Sequence, residues 1–209
     1  DGLIGNYFNG IYEGADLEKS GYKGIISRTE FIVNSADWLY TRIEADGEYA
    51  DLNTSTFEDF ERVLDLKTGI LTRSYTWILK SGKKVRLEFE RFLSMKEAEI
   101  AVQTIKITPL NFTGEVVLYS GIDFTQIHHM TGRSMWNVAD TASQEDSITM
   151  LGNTVSTDQS LLVSCRFQCE YEEKSDIRED KKLVRRFLLK AEEGKPLSFT
   201  KIIRNISRK

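Results

Sequence analysis

The stretch ILTRSYTWILKSGKKVRLEFERFL, residues 70–93, alternates in both of its halves. Leu71, Arg73, Tyr75, Trp77 and Leu79 fall on one side of an extended chain, with Thr72, Ser74 and Thr76 on the other. Beyond Ser81-Gly82-Lys83, Val85, Leu87 and Phe89 alternate in the same way with Arg86, Glu88 and Glu90. A period of two on each side of a glycine turn predicts a long amphipathic hairpin.

The same period recurs in both directions from this hairpin. Leu39, Thr41, Ile43 and Ala45 form one face of a strand that ends at Asp46-Gly47, two residues that tolerate positive φ and so suit a tight turn. Residues 100–107 and 116–122 are apolar on both faces, which predicts strands covered by a second layer, with Pro109 and Gly114 bracketing the link. Leu161, Val163, Cys165, Phe167 and Cys169 alternate with polar neighbours. Residues 187–191 and 197–206 read as two closing strands around Glu193-Gly194-Lys195-Pro196. The charged run 170–186 reads as a solvated hairpin tip or loop. Only Phe57, Phe60 and Val63, three apart with charges between them, predict one or two helical turns. With 2 prolines in 209 residues and no linker composition, the expected fold is all-β, a large antiparallel two-sheet sandwich in a single domain over residues 1–209.

Composition narrows the function. Hydrophobic residues at 40% and charged residues at 29% are a globular balance, and a net charge of −4 offers no basic field for nucleic acid. No apolar run approaches the roughly 18 residues that span a bilayer, so no membrane partner is expected. Cys165 and Cys169 are the 2 cysteines. Four apart on a strand, they share a face but not the geometry of a disulfide, and are expected to be reduced and buried, in keeping with a cytoplasmic setting.

The residues for catalysis are sparse. His128 and His129 are the 2 histidines, and adjacent strand residues point to opposite faces, so they cannot chelate one metal together. No phosphate-cradling loop and no nucleophile elbow occur, and no cofactor is expected. Carboxylates are plentiful but sit on polar faces and in turns. Residues 123–140, DFTQIHHMTGRSMWNVAD, break the alternation and gather His128, His129, Met130, Arg133, Met135 and Trp136. Aromatic faces stack on sugar rings, and Arg or His donors hold hydroxyls, so this segment suits carbohydrate or a partner surface; equally, it could be a connection whose apolar residues pack on the sandwich edge. Trp38 and Trp77 lie in strand patterns and are expected to be core or half-core residues.

Five segments in fixed order carry a resemblance: GNYFNGIYEG (5–14), EFIVNSADWLYTRIEADGE (30–48), FERVLDLKTGILTRSYTW (60–77), VRLEFERFLSM (85–95) and ITPLNFTGEVVLYSGID (107–123). Together they resemble the N-terminal domain of glycoside hydrolase family 65, the maltose, trehalose and kojibiose phosphorylases. The resemblance covers most of residues 1–125 and, more loosely, the remainder. It implies a sandwich similar in architecture to galactose mutarotase, followed by a helical linker and an (α/α)6 barrel that carries the general acid Glu and the phosphate site. There inorganic phosphate, the co-substrate, attacks the anomeric carbon of an α-glucosyl disaccharide with inversion and releases β-glucose 1-phosphate.

None of that machinery maps onto this chain. An Asn-Gly-x-x-Gly-x-Arg-Gly segment that the family carries upstream is not in the sequence. The resemblance therefore implies a non-catalytic piece of a longer chain, inactive alone and partnered by the barrel, with homodimers common in the family. Loops of the family's domain lean towards the barrel mouth, which makes His128, His129, Arg133 and Trp136 candidate rim residues. Three other readings stay open: a stand-alone sugar-binding sandwich with Trp and Tyr grouped on one exposed face, an aldose epimerase on the same fold, and a pure assembly domain.

Overall fold

The computed structural model describes residues 5–16, 27–129 and 131–208. Among the described residues the chain forms fifteen strands and no helix. In order they are β1 (Tyr12–Asp16), β2 (Arg28–Ile32), β3 (Thr41–Ala45), β4 (Glu48–Tyr49), β5 (Thr56–Asp65), β6 (Ile70–Ile78), β7 (Lys84–Leu93), β8 (Ile100–Pro109), β9 (Gly114–Asp123), β10 (Trp136–Ser143), β11 (Ser147–Thr154), β12 (Ser160–Gln168), β13 (Glu173–Glu179), β14 (Lys182–Ala191) and β15 (Leu197–Arg208). An eight-stranded sheet runs β10-β11-β12-β15-β8-β7-β6-β5, a five-stranded sheet runs β13-β14-β9-β3-β4, and β1 pairs with β2. All ladders are antiparallel, as the alternation predicts.

The hairpin of residues 70–93 is β6 and β7, with Trp77 opposite Val85 and Tyr75 opposite Leu87. These four side chains are buried, because they face the second sheet. The turn at Asp46-Gly47 has φ of 50° and 74°, the left-handed pair expected there. The links 109–114 and 191–197 each carry the chain from one sheet to the other, so strands that follow one another in sequence lie in opposite layers. The charged run beyond residue 170 is a real strand pair, β13 with β14, in which Lys174 and Asp176 are partly buried while Glu173, Ser175, Ile177, Arg178 and Glu179 face solvent.

The helical expectation at Phe57–Val63 is overturned. These residues lie in β5, where the register slips by one residue between Glu58 and Glu61 and Asp59 takes φ of 53°. That is a β-bulge, and its extra residue returns Phe60 to the face that Phe57 occupies. Both rings then reach Tyr75, at centroid distances of 6.1 and 6.2 Å. A spacing of three was therefore the mark of a bulge, not of a helical turn.

The core lies between the two sheets and joins Trp77, Leu87, Ile105, Leu118, Ile122, Phe187 and Phe199. Two polar ties cross it. Lys201 of β15 is fully buried and donates to the Gly121 carbonyl of β9 at 2.7 Å. Thr41 of β3 donates to Gln103 Oε1 of β8 at 3.3 Å. The five-stranded layer stops at β4 and does not cover β5, so Phe57, Phe60 and Leu64 stay 40–54% exposed. The sandwich is open along that side.

Candidate functional site

Two places carry chemistry beyond packing: the segment between β9 and β10, and the open side of the sandwich.

The first segment leaves β9 at Asp123, whose carboxylate accepts from the Thr125 amide at 2.7 Å and turns the chain. His128 and Arg133 then form an isolated bridge, closed by the amides of Thr131 and Gly132 donating to the His128 carbonyl. Gly132 has φ of 64°, in the left-handed region that glycine adopts without steric cost. Of the residues singled out here, His129 and Arg133 are exposed. His128 is buried with its ring stacked on Phe31 at 4.1 Å, and burial followed by the charge of His129 holds its imidazole below the ordinary histidine range. Met130 lies outside the described residues.

Trp136 corrects the expectation of an indole offered at the surface. It is wholly buried, packs edge-on against Phe124 at 5.3 Å, and donates from Nε1 to the Asn34 carbonyl at 2.8 Å. Met135 is buried beside it. The segment thus divides: one turn of the chain with His129 and Arg133 faces solvent, and the His128, Met135 and Trp136 side chains hold it to the sandwich. All three tryptophans are buried, at 8%, 1% and 0% exposure for Trp38, Trp77 and Trp136. The exposed tyrosines Tyr7, Tyr12, Tyr49 and Tyr171 sit on separate elements. The grouped aromatic platform that a sugar-binding module uses is therefore not formed by these residues.

Sequence reasoning missed the second place. A cleft of about 790 Å³ opens between β3 with the following loop 50–53 on one wall and β5–β8 on the other. Its floor carries Arg62, Arg73, Arg91 and Gln103; Asp37, Arg42 and Asp51 stand across from them. Arg62 lies directly opposite Arg73 in the β5–β6 ladder, and Leu71 lies opposite Arg91 in the β6–β7 ladder, so three cations gather on adjacent strands. Arg73 lies over the Phe89 ring at 4.3 Å. Burial first, and then the charge of Arg62, lower its affinity for the proton against the opposing pull of Tyr75. A signal existed in the sequence: Arg73 interrupts the apolar series Leu71, Tyr75, Trp77 on a face that should be dry.

Neither place assembles a reaction centre. Among the described residues no three His, Cys, Asp or Glu side chains come together to hold a metal ion. No helix among them is long and apolar enough to cross a membrane. Cys165 and Cys169 are unpaired, the first buried and the second half-buried.

The profile described as "Glycosyl hydrolase family 65, N-terminal domain" matches residues 1–209. The chain belongs to this family. A solved structure named "Putative kojibiose phosphorylase from human microbiome" superimposes on 99% of this family 65 domain with a TM-score of 0.90 and 32% identity, and the domain covers 27% of that chain. Among curated relatives, an alpha,alpha-trehalose phosphorylase of Thermoanaerobacter brockii is 33% identical over 121 residues, and a kojibiose phosphorylase of the same organism is 33% identical over 124 residues. These alignments cover 57% and 56% of this chain and 16% of each relative. The family 65 domain thus spans a small part of the proteins it resembles. The expected antiparallel sandwich and the family resemblance are both borne out.

Proposed function

We propose that this domain is the non-catalytic N-terminal part of a disaccharide phosphorylase acting on an α-linked glucosyl disaccharide. The reaction belongs to a barrel elsewhere in the same polypeptide, which takes inorganic phosphate as co-substrate and releases β-glucose 1-phosphate with inversion. The observation that carries this reading is the superposition over 99% of the chain, at 32% identity, on a structure of which the domain is 27%. In this reading the domain shapes the rim of the barrel mouth through the turn that presents His129 and Arg133, takes part in a homodimer and works in the cytoplasm.

The test is made on the full polypeptide. With phosphate present, kojibiose or trehalose should yield β-glucose 1-phosphate, and the isolated domain should yield none. Glucose release without phosphate would replace the phosphorylase with a hydrolase. Arg133→Ala should change KM for the disaccharide or the preference among acceptors while leaving the melting temperature unchanged. Unaltered kinetics on every acceptor would remove the rim role.

A further inference from the structure

We propose that Arg62, Arg73 and Arg91 form a receptor for an oxyanion at the floor of the cleft between the two sheets.

The three residues come from three neighbouring strands, β5, β6 and β7, and all line the same cleft. Arg62 and Arg73 are direct cross-strand partners, and Arg91 lies two residues along β7 from Phe89, the partner of Arg73. Like charges placed opposite one another destabilise a sheet unless something stands between them. Three other arginines do have a partner: Arg185 pairs with Asp176, Arg166 with Asp146, and Arg86 donates to Ser74 and to the Asp59 carbonyl. Among the described residues Arg62, Arg73 and Arg91 make no ion pair. The Arg73 Nε is buried with no hydrogen-bond partner.

The carboxylates of the opposite wall make no ion pair with the three arginines, Asp37 reaching Arg91 only through its charge, and each spends one oxygen on its own turn. Asp37 Oδ1 accepts from the Leu39 amide at 3.0 Å, and Asp51 Oδ1 accepts from the Asn53 amide at 3.0 Å. Glu90 also borders the arginines, from the outward-alternating side of β7. Three guanidinium forks with one buried donor unspent match a phosphate or a carboxylate, whose oxygens accept paired N–H bonds. Phe89 stacks under Arg73 and fixes the plane of its fork. The shared chemistry is an oxyanion. It has two sources: phosphate or a phosphate monoester from solution, or a carboxylate side chain from the rest of the longer polypeptide.

The probe is inorganic phosphate, titrated into the 209-residue chain at constant ionic strength while the Arg side-chain Nε–H resonances are followed by NMR. The expected result is a saturable shift of Arg73 with a Kd on the order of millimolar, weakened about tenfold or more by Arg73→Gln. Arg62→Gln, at an exposed position, should weaken binding without any risk to folding. The same titration on the full polypeptide separates the sources. Retained binding assigns a free anion. Lost binding, together with an Arg73→Gln variant that lowers the melting temperature of the full polypeptide but not of the 209-residue chain, assigns an internal carboxylate. The proposal is overturned if phosphate gives no saturable shift in the chain and the variants melt like the parent in both proteins. It is equally overturned if Arg73→Gln and Arg62→Gln respond to phosphate as the parent does. Either result leaves the family assignment and the phosphorylase reading untouched.

Discussion

The indole Nε1 of Trp136 donates to the main-chain carbonyl of Asn34, 102 residues earlier in the sequence and 2.8 Å away. This bond clamps the start of β10 to the segment that precedes β3, and the Phe124 ring closes the other side. Removing the ring should therefore cost stability before it costs anything else. Trp136→Ala should lower stability by about 3–5 kcal/mol. Trp136→Phe keeps most of the ring but removes its bond to the carbonyl, for about 1–3 kcal/mol. Urea titration of both variants measures this. A Trp136→Ala protein as stable as the parent would contradict the clamp.

Gly121, the glycine of the SGID segment, makes a second sharp demand. A Cβ built there would stand 2.3 Å from the Leu183 carbonyl oxygen and 2.7 Å from the Val184 Cα, both backbone atoms of the neighbouring strand β14. Neither can swing aside as a flexible side chain would. Gly121→Ala should push β9 and β14 apart and destabilise by about 1–3 kcal/mol. Amide exchange should accelerate in the β9–β14 ladder more than in the β6–β7 hairpin, and equal protection in both would refute the local clash.

These two positions show how legible the chain was. Alternation gave the strands, since a period of two depends only on neighbours in sequence. It did not give the layer each strand joins. Residues 100–107 and 116–122 read as consecutive strands, yet β8 lies in one sheet and β9 in the other. The bulge at Asp59 broke the period and read as a helix. At residues 123–140 the composition suggested a surface loop, but alternation resumes at Trp136, so the ring turns inward while Asn137 faces solvent. The arginine cleft stayed hidden because Arg62 lies past the bulge, where a strict period of two puts it on the wrong face.

Arg185 and Asp176 form a nearly dry ion pair, with Nε to Oδ1 at 2.7 Å and Nη2 to Oδ2 at 3.0 Å. Arg185 also donates to the Gln144 and Glu145 carbonyls, which joins β14 to the β10–β11 turn. Burial alone would raise the Asp176 carboxyl, but the hydrogen bonds from Arg185 and Ser143 and the guanidinium charge outweigh it and hold the group below the ordinary aspartate range. A depressed folded value means that the unfolded chain takes the proton first. The pair's contribution is thus complete above the ordinary aspartate pKa of about 3.9 and is lost as pH falls towards the lower folded value. Asp176→Asn leaves a buried guanidinium without its anion and should cost about 3–5 kcal/mol at neutral pH. The gap between variant and parent should narrow below about pH 4. A gap constant across that range would show that the folded protein does not hold the Asp176 pKa below its unfolded value.

Burial raises both thiols, Cys169 to about 11. At pH 8 a thiol with a pKa near 11 holds roughly a hundredfold less thiolate than an ordinary one. Alkylation of the native protein by iodoacetamide should accordingly be about a hundredfold slower than that of the urea-unfolded chain, with Cys165 slower still. Mass spectrometry on timed samples reads both sites. Labelling of native Cys169 at the unfolded rate would refute the shift.

Lys201 presents the opposite sign. Its ammonium is fully buried and donates to the carbonyls of Gly121 at 2.7 Å and Tyr40 at 3.4 Å. Burial pushes its pKa below the ordinary lysine value, and the nearby Cys165 and Asp37 restore only part of that. The folded state therefore releases the proton more readily than the unfolded chain. Between the lowered folded pKa and the unfolded value of about 10.4, the unfolded state binds more protons, so this group makes stability rise with pH. Lys201→Met removes the group and its pH dependence together. The stability of the parent relative to Lys201→Met should grow with pH across that window, by up to about 1.4 kcal/mol per pH unit. Asp37 is coupled to this ammonium, because the Lys201 charge lowers the carboxyl that burial raises, so the same pair of titrations is repeated in an Asp37→Asn background. Urea titrations of both proteins at neutral and alkaline pH decide the matter: a difference that stays flat would mean that the folded protein binds the Lys201 proton as firmly as water does.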